Sequence, residues 1–258
     1  YLDRLSYRDT FIHRLDPRIK LITTLFFLFT VISFSKYEVV ALLPFFLFPA
    51  VIMTAGDIPL SLILKKVAIV SPFAAFIGIF NPLLDNAQVA VLPGVTLAAG
   101  WFSFASIILK FLLTVSAALL LIATTSFPTV CHALRRLGLP AIFVSQLLFL
   151  YRYIFVLGEE AIRIVRARDM RSYGHKGAGI RIFAQIIGVL LLRTMERSER
   201  IYFAMLARGF QGDMPAGRRY QITARDLAFT ASFLVCLIIF RLYPVTEIVG
   251  RFFQEFLR

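Results

Sequence analysis

Residues 101–125 read WFSFASIILKFLLTVSAALLLIATT, and Lys110 is the only charged residue in this stretch. An apolar run of about 20 residues is long enough to cross the hydrocarbon core of a bilayer as a helix. Four further apolar runs, some of them interrupted by proline, extend the pattern along the chain: residues 19–34, 39–55, 67–80 and 227–243. We therefore predict an all-α polytopic membrane protein with about five transmembrane helices.

The composition agrees with this class, since 59% of the 258 residues are hydrophobic and 27 are phenylalanine. The mean hydropathy of +0.80 exceeds what a soluble domain needs for its core. The alternating strands of about ten residues that build an outer-membrane barrel are not found in the sequence. Cys131 and Cys236 lie in or beside apolar segments without CxxC spacing, and the three histidines are scattered, so we expect neither a disulfide nor a metal site.

The net charge of +13 has two possible meanings. In a soluble protein, such a charge would suggest a nucleic-acid partner. In a polytopic chain, basic residues instead set the topology and contact anionic lipid headgroups. We therefore expect a lipid membrane as the partner of these charges and no nucleic acid.

The positions of the charges predict the topology. Three regions hold 23 of the 28 Lys and Arg residues: residues 1–20, the turn at Lys65 and Lys66, and residues 126–225. Basic loops face the cytoplasm. From the N-terminus, we predict a cytoplasmic segment at 1–20, four transmembrane helices at 21–125, a cytoplasmic domain of long amphipathic helices at 126–225, and a final transmembrane helix with the C-terminal tail at 226–258.

Two apolar segments inside the basic region leave an alternative open. Residues 141–157 and 182–192 would lie at the cytoplasmic interface in the preferred arrangement. If both segments crossed the bilayer as a hairpin, the chain would have six or seven spans. The six basic residues between positions 158 and 181 would then face outward, against the usual charge rule.

No catalytic constellation is visible in the sequence. The GxxxxGK[ST] pattern of a P-loop does not occur, so we do not expect this chain to bind ATP through one. HExxH motifs and paired intramembrane carboxylates are also not found, and the predicted spans carry scarcely any charge besides Lys110. Ion pumps and secondary transporters commonly carry ionisable groups along their path. The spans are therefore interpreted as a scaffold, with no catalytic and no metal-binding residues.

Three short motifs stand out against this background. The segment HRLDPRIKL occupies residues 13–21, and Ala167-Arg168-Asp169 and Ala207-Arg208-Gly209 lie about forty residues apart, each near the end of a charged helical stretch. Asp16 followed by Pro17 is typical of a helix start. Gly209 suits the left-handed position that follows a helix.

Together these motifs resemble the T component of energy-coupling factor (ECF) transporters over almost the whole chain. Asp16, Pro17, Arg18 and Lys20 match that family's N-terminal signature, and the two tripeptides resemble its two Ala-Arg-Gly-type motifs, with Asp169 in place of glycine. The segments at 2–6 (LDRLS), 197–200 (RSER) and 208–212 (RGFQG) are more similar to the cobalt/nickel branch, the CbiQ-like proteins.

The resemblance implies a non-catalytic coupling subunit in the bacterial cytoplasmic (inner) membrane. Its partners would be a pair of cytoplasmic ABC-type ATPase subunits, which bind ATP and Mg, and a substrate-binding S component of the cobalt/nickel type. This chain would hold no cofactor. Arg168 and Arg208 would each lie in a groove of one ATPase subunit, where a guanidinium can bind carboxylates through two hydrogen bonds.

Two other functions are alternatives to this one. An autonomous secondary transporter or channel is compatible with the size of the chain, although intramembrane charge is scarce. A membrane-embedded enzyme acting on lipids usually carries clustered His, Asp or Glu at the membrane face. The 15 acidic residues of this chain form no such cluster in the sequence.

Overall fold

The computed structural model describes Ser6 and residues 10–36, 38–84, 88–92, 95–171, 179–212 and 223–242. Residues 2–5 of the opening motif and residues 243–258 of the predicted C-terminal tail lie outside these ranges.

Helices dominate the described residues, which confirms the predicted class. The α-helices, in chain order, are α1 (Phe11–Arg14), α2 (Pro17–Ile32), α3 (Leu47–Ala55), α4 (Leu60–Leu84), α5 (Ala99–Thr124), α6 (Phe127–Arg136), α7 (Ala141–Arg171), α8 (Ile180–Ala207) and α9 (Ala224–Leu242). A 3-10 helix at Val40–Phe46 precedes α3. Strands β1 (Gln88–Leu92) and β2 (Val95–Ala98) form a short antiparallel pair between α4 and α5.

Three described helices are long and apolar enough to cross a membrane: Leu60–Pro82, Gly100–Thr124 and Ala141–Arg171. The first two correspond to the third and fourth predicted spans. The third is α7, which the preferred topology places at the interface and the alternative topology places in the bilayer. The 16-residue α2 is shorter than the roughly 20 residues of a typical span.

The chain divides into two compact units. The first contains Tyr1–Val130 and Tyr220–Arg258, and the second contains Cys131–Arg219. Helices α1 to α5 and α9 therefore belong to the first unit, α7 and α8 belong to the second, and the boundary falls within α6.

An aromatic core holds the first unit together. Phe27 of α2 is completely buried, and its ring centroid lies 4.3 Å from that of Phe48 and 6.2 Å from that of Phe45. Phe233 of α9 packs against Phe48 at 4.5 Å. Ring contacts of this kind contribute about 0.5–1.5 kcal/mol beyond the burial of their surface. They join α2, the segment at residues 40–55 and α9.

Glycine allows α4 and α5 to approach closely. A Cβ atom added at Gly100 would lie 2.5 Å from the Cα of Pro82, and one added at Gly78 would lie 2.8 Å from the ring of Phe104. Membrane helices use small residues in this way, because packing rather than water drives their association.

Two segments that contain proline differ from the predicted spans. The span at residues 39–55 begins as a 3-10 helix that contains Pro44, whose ring would clash with the carbonyl four residues earlier in a regular α-helix. Helix α4 extends to Leu84, four residues beyond the predicted span at 67–80. Pro82 removes one hydrogen bond from the last turn of α4, and the tight contact with Gly100 holds that turn in place.

Candidate functional site

Asp16 begins α2 as the sequence predicts. Its Oδ1 accepts a hydrogen bond from the backbone N–H of Arg18 at 2.9 Å, and Pro17 is the first helical residue. The side chain is almost completely enclosed, because Asp16 is only 2% exposed. The Nε of Arg18 lies 3.6 Å from the same oxygen and partly balances its charge. The buried, charged carboxylate of Asp16 therefore caps the N-terminal end of α2.

Asp226 joins this cap to the last helix. Its Oδ1 accepts a hydrogen bond from the backbone N–H of Asp16 at 3.1 Å, and its Oδ2 accepts one from Thr223 at 2.8 Å. The Asp226 side chain and the backbone N–H of Thr223 thus form one half of a capping box at the start of α9, and the backbone N–H of Asp226 donates to the carbonyl of Thr223 at 2.9 Å. One buried carboxylate thus holds the starts of α2 and α9 together. No local pattern in the sequence points to the link between Asp226 and Asp16.

Two lysines connect α2 with α5. The Nζ of Lys20 donates to the carbonyl of Thr124 at 3.1 Å, and the Nζ of Lys110 donates to the carbonyl of Phe34 at 2.6 Å. The contacting positions are fourteen residues apart on both segments: 20 and 34 on the first, and 110 and 124 on the second. The earlier position on one segment contacts the later position on the other. The two helices are therefore antiparallel. The start of α2, the end of α5 and the start of α9 lie together, as the predicted order of spans requires.

The N-terminal signature is thus a structural junction of the first unit. Asp16 and Pro17 start α2, Arg18 lies beside the Asp16 carboxylate, and Lys20 also donates to the carbonyl of His13 at 3.3 Å. These contacts are internal to the first unit. They give the signature residues a role in joining helix ends.

In the second unit, α7 and α8 form an antiparallel pair. The Nη1 of Arg193 lies 2.7 Å from the Oε1 of Glu160, and the Oγ of Ser145 donates to the carbonyl of Gly212 at 3.2 Å. From the Ser145–Gly212 contact to the Glu160–Arg193 contact, residue numbers increase along α7 and decrease from Gly212 back into α8. The two helices therefore run in opposite directions. Neither contact is predicted by the sequence, because the partners of each lie far apart in the chain without a local pattern.

The second tripeptide ends α8 with a Schellman motif. Ala207 is the last helical residue, Arg208 is the C-cap, and Gly209 has a φ of +78°. The backbone N–H of Gly209 donates to the carbonyl of Leu206 at 2.9 Å, and that of Phe210 donates to Met205 at 3.0 Å. The C′ position predicted for Gly209 is confirmed. Arg208 is exposed and forms no ion pair within the described ranges.

The first tripeptide differs in geometry. Ala167, Arg168 and Asp169 are all helical, and α7 continues to Arg171. A helical position needs no left-handed residue, so aspartate can stand where the family has glycine. The Nη1 of Arg168 lies 3.5 Å from the Oδ1 of Asp169, and the side chain of Arg168 is only 24% exposed. The two arginines are therefore not equivalent: Arg208 extends from a helix end, and Arg168 lies within the last turn.

The two arginines lie toward opposite ends of the α7–α8 pair. Arg168 follows Glu160 by eight residues, and Arg208 follows Arg193 by fifteen. Because the helices are antiparallel, these distances of about 12 Å and about 22 Å run in opposite directions. The geometry separates the two side chains by about 30 Å along the pair.

Gly209 provides a test of this cap. We expect Gly209→Ala to open the end of α8, since a left-handed alanine costs about 1 kcal/mol more than glycine. The added Cβ would meet nothing within 4 Å, so the effect would come from the backbone alone. Hydrogen exchange at residues 206–210 should become about fivefold faster.

Gly188→Ala is the matched control, because Gly188 also has open space around its Cβ but lies inside α8. It should leave exchange at residues 206–210 unchanged. Equal exchange in the Gly209→Ala and Gly188→Ala proteins would contradict the assigned role of Gly209.

Helix α6 carries the histidine and cysteine that are nearest to each other in the sequence. Burial raises the pKa of the Cys131 thiol, and burial together with Arg135 lowers the pKa of His132. Both shifts favour the neutral forms near pH 7. Among the described residues, no group of three or more His, Cys, Asp or Glu side chains is arranged to hold a metal ion.

Known proteins match much of this chain. The cobalt transport protein family CbiQ matches residues 8–218. An uncharacterized protein of Methanocaldococcus jannaschii is 27% identical over 239 residues, which cover 89% of this chain and 81% of that protein. The energy-coupling factor transporter transmembrane protein EcfT of Streptococcus thermophilus is 27% identical over 266 residues, covering 93% of this chain and 97% of that protein.

The cobalt transport protein CbiQ of Rhodobacter capsulatus is 34% identical over 95 residues. This alignment covers 36% of the chain described here and 39% of the relative. The chain thus aligns with less than half the length of that cobalt transport protein, and with nearly the whole length of the transmembrane protein from Streptococcus.

Proposed function

This chain belongs to the cobalt transport protein family CbiQ, and we propose that it is the transmembrane coupling subunit, or T component, of an ECF-type importer. The observation that carries the proposal is the family match across residues 8–218, which includes all three motifs. In this role the chain is not an enzyme. ATP and Mg would be bound by a pair of ABC-type ATPase subunits.

Arg168 and Arg208 would contact the two ATPase subunits. A single small groove cannot hold two side chains about 30 Å apart, whereas two subunits side by side can each receive one. Arginine suits such a contact, because its planar guanidinium binds carboxylates through two hydrogen bonds and stays charged at physiological pH. Arg208 is exposed already. Arg168 would exchange its contact with Asp169 for one with the ATPase.

The α7–α8 pair would carry the motion of the ATPases to the S component. The helices contain 31 and 28 residues and are joined by the Glu160–Arg193 and Ser145–Gly212 contacts. Helices of this length transmit a displacement of their ends as levers. ATP-driven closure would move both arginines, and the connected pair would move with them.

Exposed apolar side chains of this pair would meet the S component. Large apolar residues on both helices are more than half exposed: Ile142, Phe143, Leu150, Phe183, Leu192 and Phe203. None of the residues of α8 is buried. Large exposed apolar surfaces mark sites of contact with lipid or protein. An apolar surface would let the S component reorient without breaking specific polar contacts.

The substrate would be cobalt or nickel, captured by the S component, in keeping with the family. The chain would lie in the bacterial cytoplasmic membrane with residues 126–225 in the cytoplasm. Purification of the tagged chain from native membranes tests the assembly. We expect two ATPase subunits and one metal-binding membrane protein to co-purify in fixed proportion. Recovery of the chain without any ATPase, under conditions that keep other membrane complexes intact, would contradict the proposal.

A further inference from the structure

A cleft with a volume of about 690 Å³ lies between α7 and α8. This volume is typical of small-molecule sites. The Ser145–Gly212 hydrogen bond lies near one end of the cleft and the Glu160–Arg193 ion pair lies near the other. Fifteen residues of α7 separate these contacts, so the cleft is about 22 Å long. Contacts between the two helices narrow this cleft near both ends.

The lining of the cleft changes along its length. Phe149, Ile201, Met205 and Phe210 form apolar walls toward the Gly212 end. Arg197 lines the cleft one helical turn from Arg193, and therefore toward the opposite end. The site consists of an apolar channel with one cation near one end.

The polar groups of the lining are available to a ligand. Arg197 forms no ion pair within the described part of the chain. The Tyr153 hydroxyl and the Gln146 amide, which also line the cleft, make no hydrogen bond to any described residue. Arg197 and Tyr153 can both donate hydrogen bonds toward the same end of the cleft, and an oxyanion is a ligand that accepts them.

The shape and surroundings of the cleft favour a lipid. A helix is about 10 Å across with its side chains, so a cleft narrowed near both ends by contacts between α7 and α8 suits an acyl chain better than a partner helix. One wall is α7, which is apolar enough to lie in a bilayer, and only 11% of its most apolar window is buried inside the protein. At the cytoplasmic interface, where the preferred topology places residues 141–157, such a helix lies beside lipid.

We propose that this cleft binds one anionic phospholipid. The phosphate contacts Arg197, with Tyr153 as a further donor, and one acyl chain lies along Phe149 and Met205 toward Phe210. The proposal is independent of the ATPase contacts, because it rests on the cleft alone.

Native mass spectrometry of the full purified chain in detergent tests the site. The chain is mixed with either phosphatidylglycerol or phosphatidylcholine, and the retained lipid is counted at rising collision energy. We expect one phosphatidylglycerol to be retained in preference to phosphatidylcholine. Arg197→Gln should lower this retention about fivefold, and Arg197→Lys should restore part of it.

Arg181→Gln is the matched control. Arg181 is another exposed arginine of α8 without an ion pair among the described residues, and it does not line the cleft. This variant should retain phosphatidylglycerol as the unaltered chain does. Equal retention of the two lipids, or equal losses in the Arg197→Gln and Arg181→Gln proteins, would overturn the proposal. Cross-linking of a protein helix into the cleft would overturn it as well.

Discussion

The double substitution Arg168→Glu with Arg208→Glu is expected to abolish co-purification of the ATPase subunits and ATP-dependent uptake of the substrate. Each change replaces a cation by an anion in a groove that would hold carboxylates. Loss of a buried charge pair at an interface costs about 2–5 kcal/mol, so losing two would lower the affinity by more than about a thousandfold. The measurements are the ratio of ATPase to chain after affinity purification and the rate of uptake in cells.

The double substitution Arg163→Glu with Arg181→Glu makes the same change in net charge on the same two helices. Arg163 is largely exposed, and its one ion pair among the described residues is with the exposed Glu159, so its loss should cost little. We expect this control to assemble and transport normally. The role of the tripeptides would be refuted if the Arg168 and Arg208 double variant assembled as well as this control.

Asp226→Ala is expected to destabilise the first unit by about 2–6 kcal/mol, because two backbone N–H groups lose their acceptor, at about 1–3 kcal/mol each when buried. These groups belong to Asp16 and Thr223. Without these two hydrogen bonds, the N-terminal ends of α2 and α9 would separate. Thermal unfolding in mild detergent, followed by circular dichroism, measures the effect.

Asp226→Asn is the informative comparison. The amide keeps one oxygen as an acceptor and has nearly the same shape, so only one of the two hydrogen bonds is lost. Its destabilisation should therefore fall between that of the alanine variant and zero. If the alanine variant unfolded within about 0.5 kcal/mol of the unaltered protein, the junction would not contribute as described.

Local signals in the sequence predicted the helix ends well. Asp16 with Pro17 starts α2, and Gly209 ends α8 with a positive φ. Gly138, which follows α6, also has a positive φ. Such signals depend on backbone groups within a few residues, so a single sequence contains all the information they need.

Contacts between distant segments could not be predicted in the same way. The acceptors of Lys20 and Lys110 are the backbone carbonyls of Thr124 and Phe34, which every residue type provides. The Glu160–Arg193 ion pair involves one acid and one base among many in the same region. Tertiary packing selects these partners, and no spacing rule points to them.

The first tripeptide shows where a motif alone misleads about geometry. Its likeness to the second predicts two similar helix ends. In the structure, Asp169 remains helical and contacts Arg168, while Gly209 takes the left-handed conformation. The difference follows from the residue types, because aspartate fits a helix and glycine is the residue that most readily ends one.

Reconstitution in liposomes tests the central claim most directly. The chain is inserted alone, or together with the two ATPase subunits and the S component, and uptake of radioactive cobalt is measured with and without ATP. A coupling subunit predicts no uptake by the chain alone and ATP-dependent uptake by the full set. Uptake by the chain alone would contradict the account and would identify an autonomous transporter or channel.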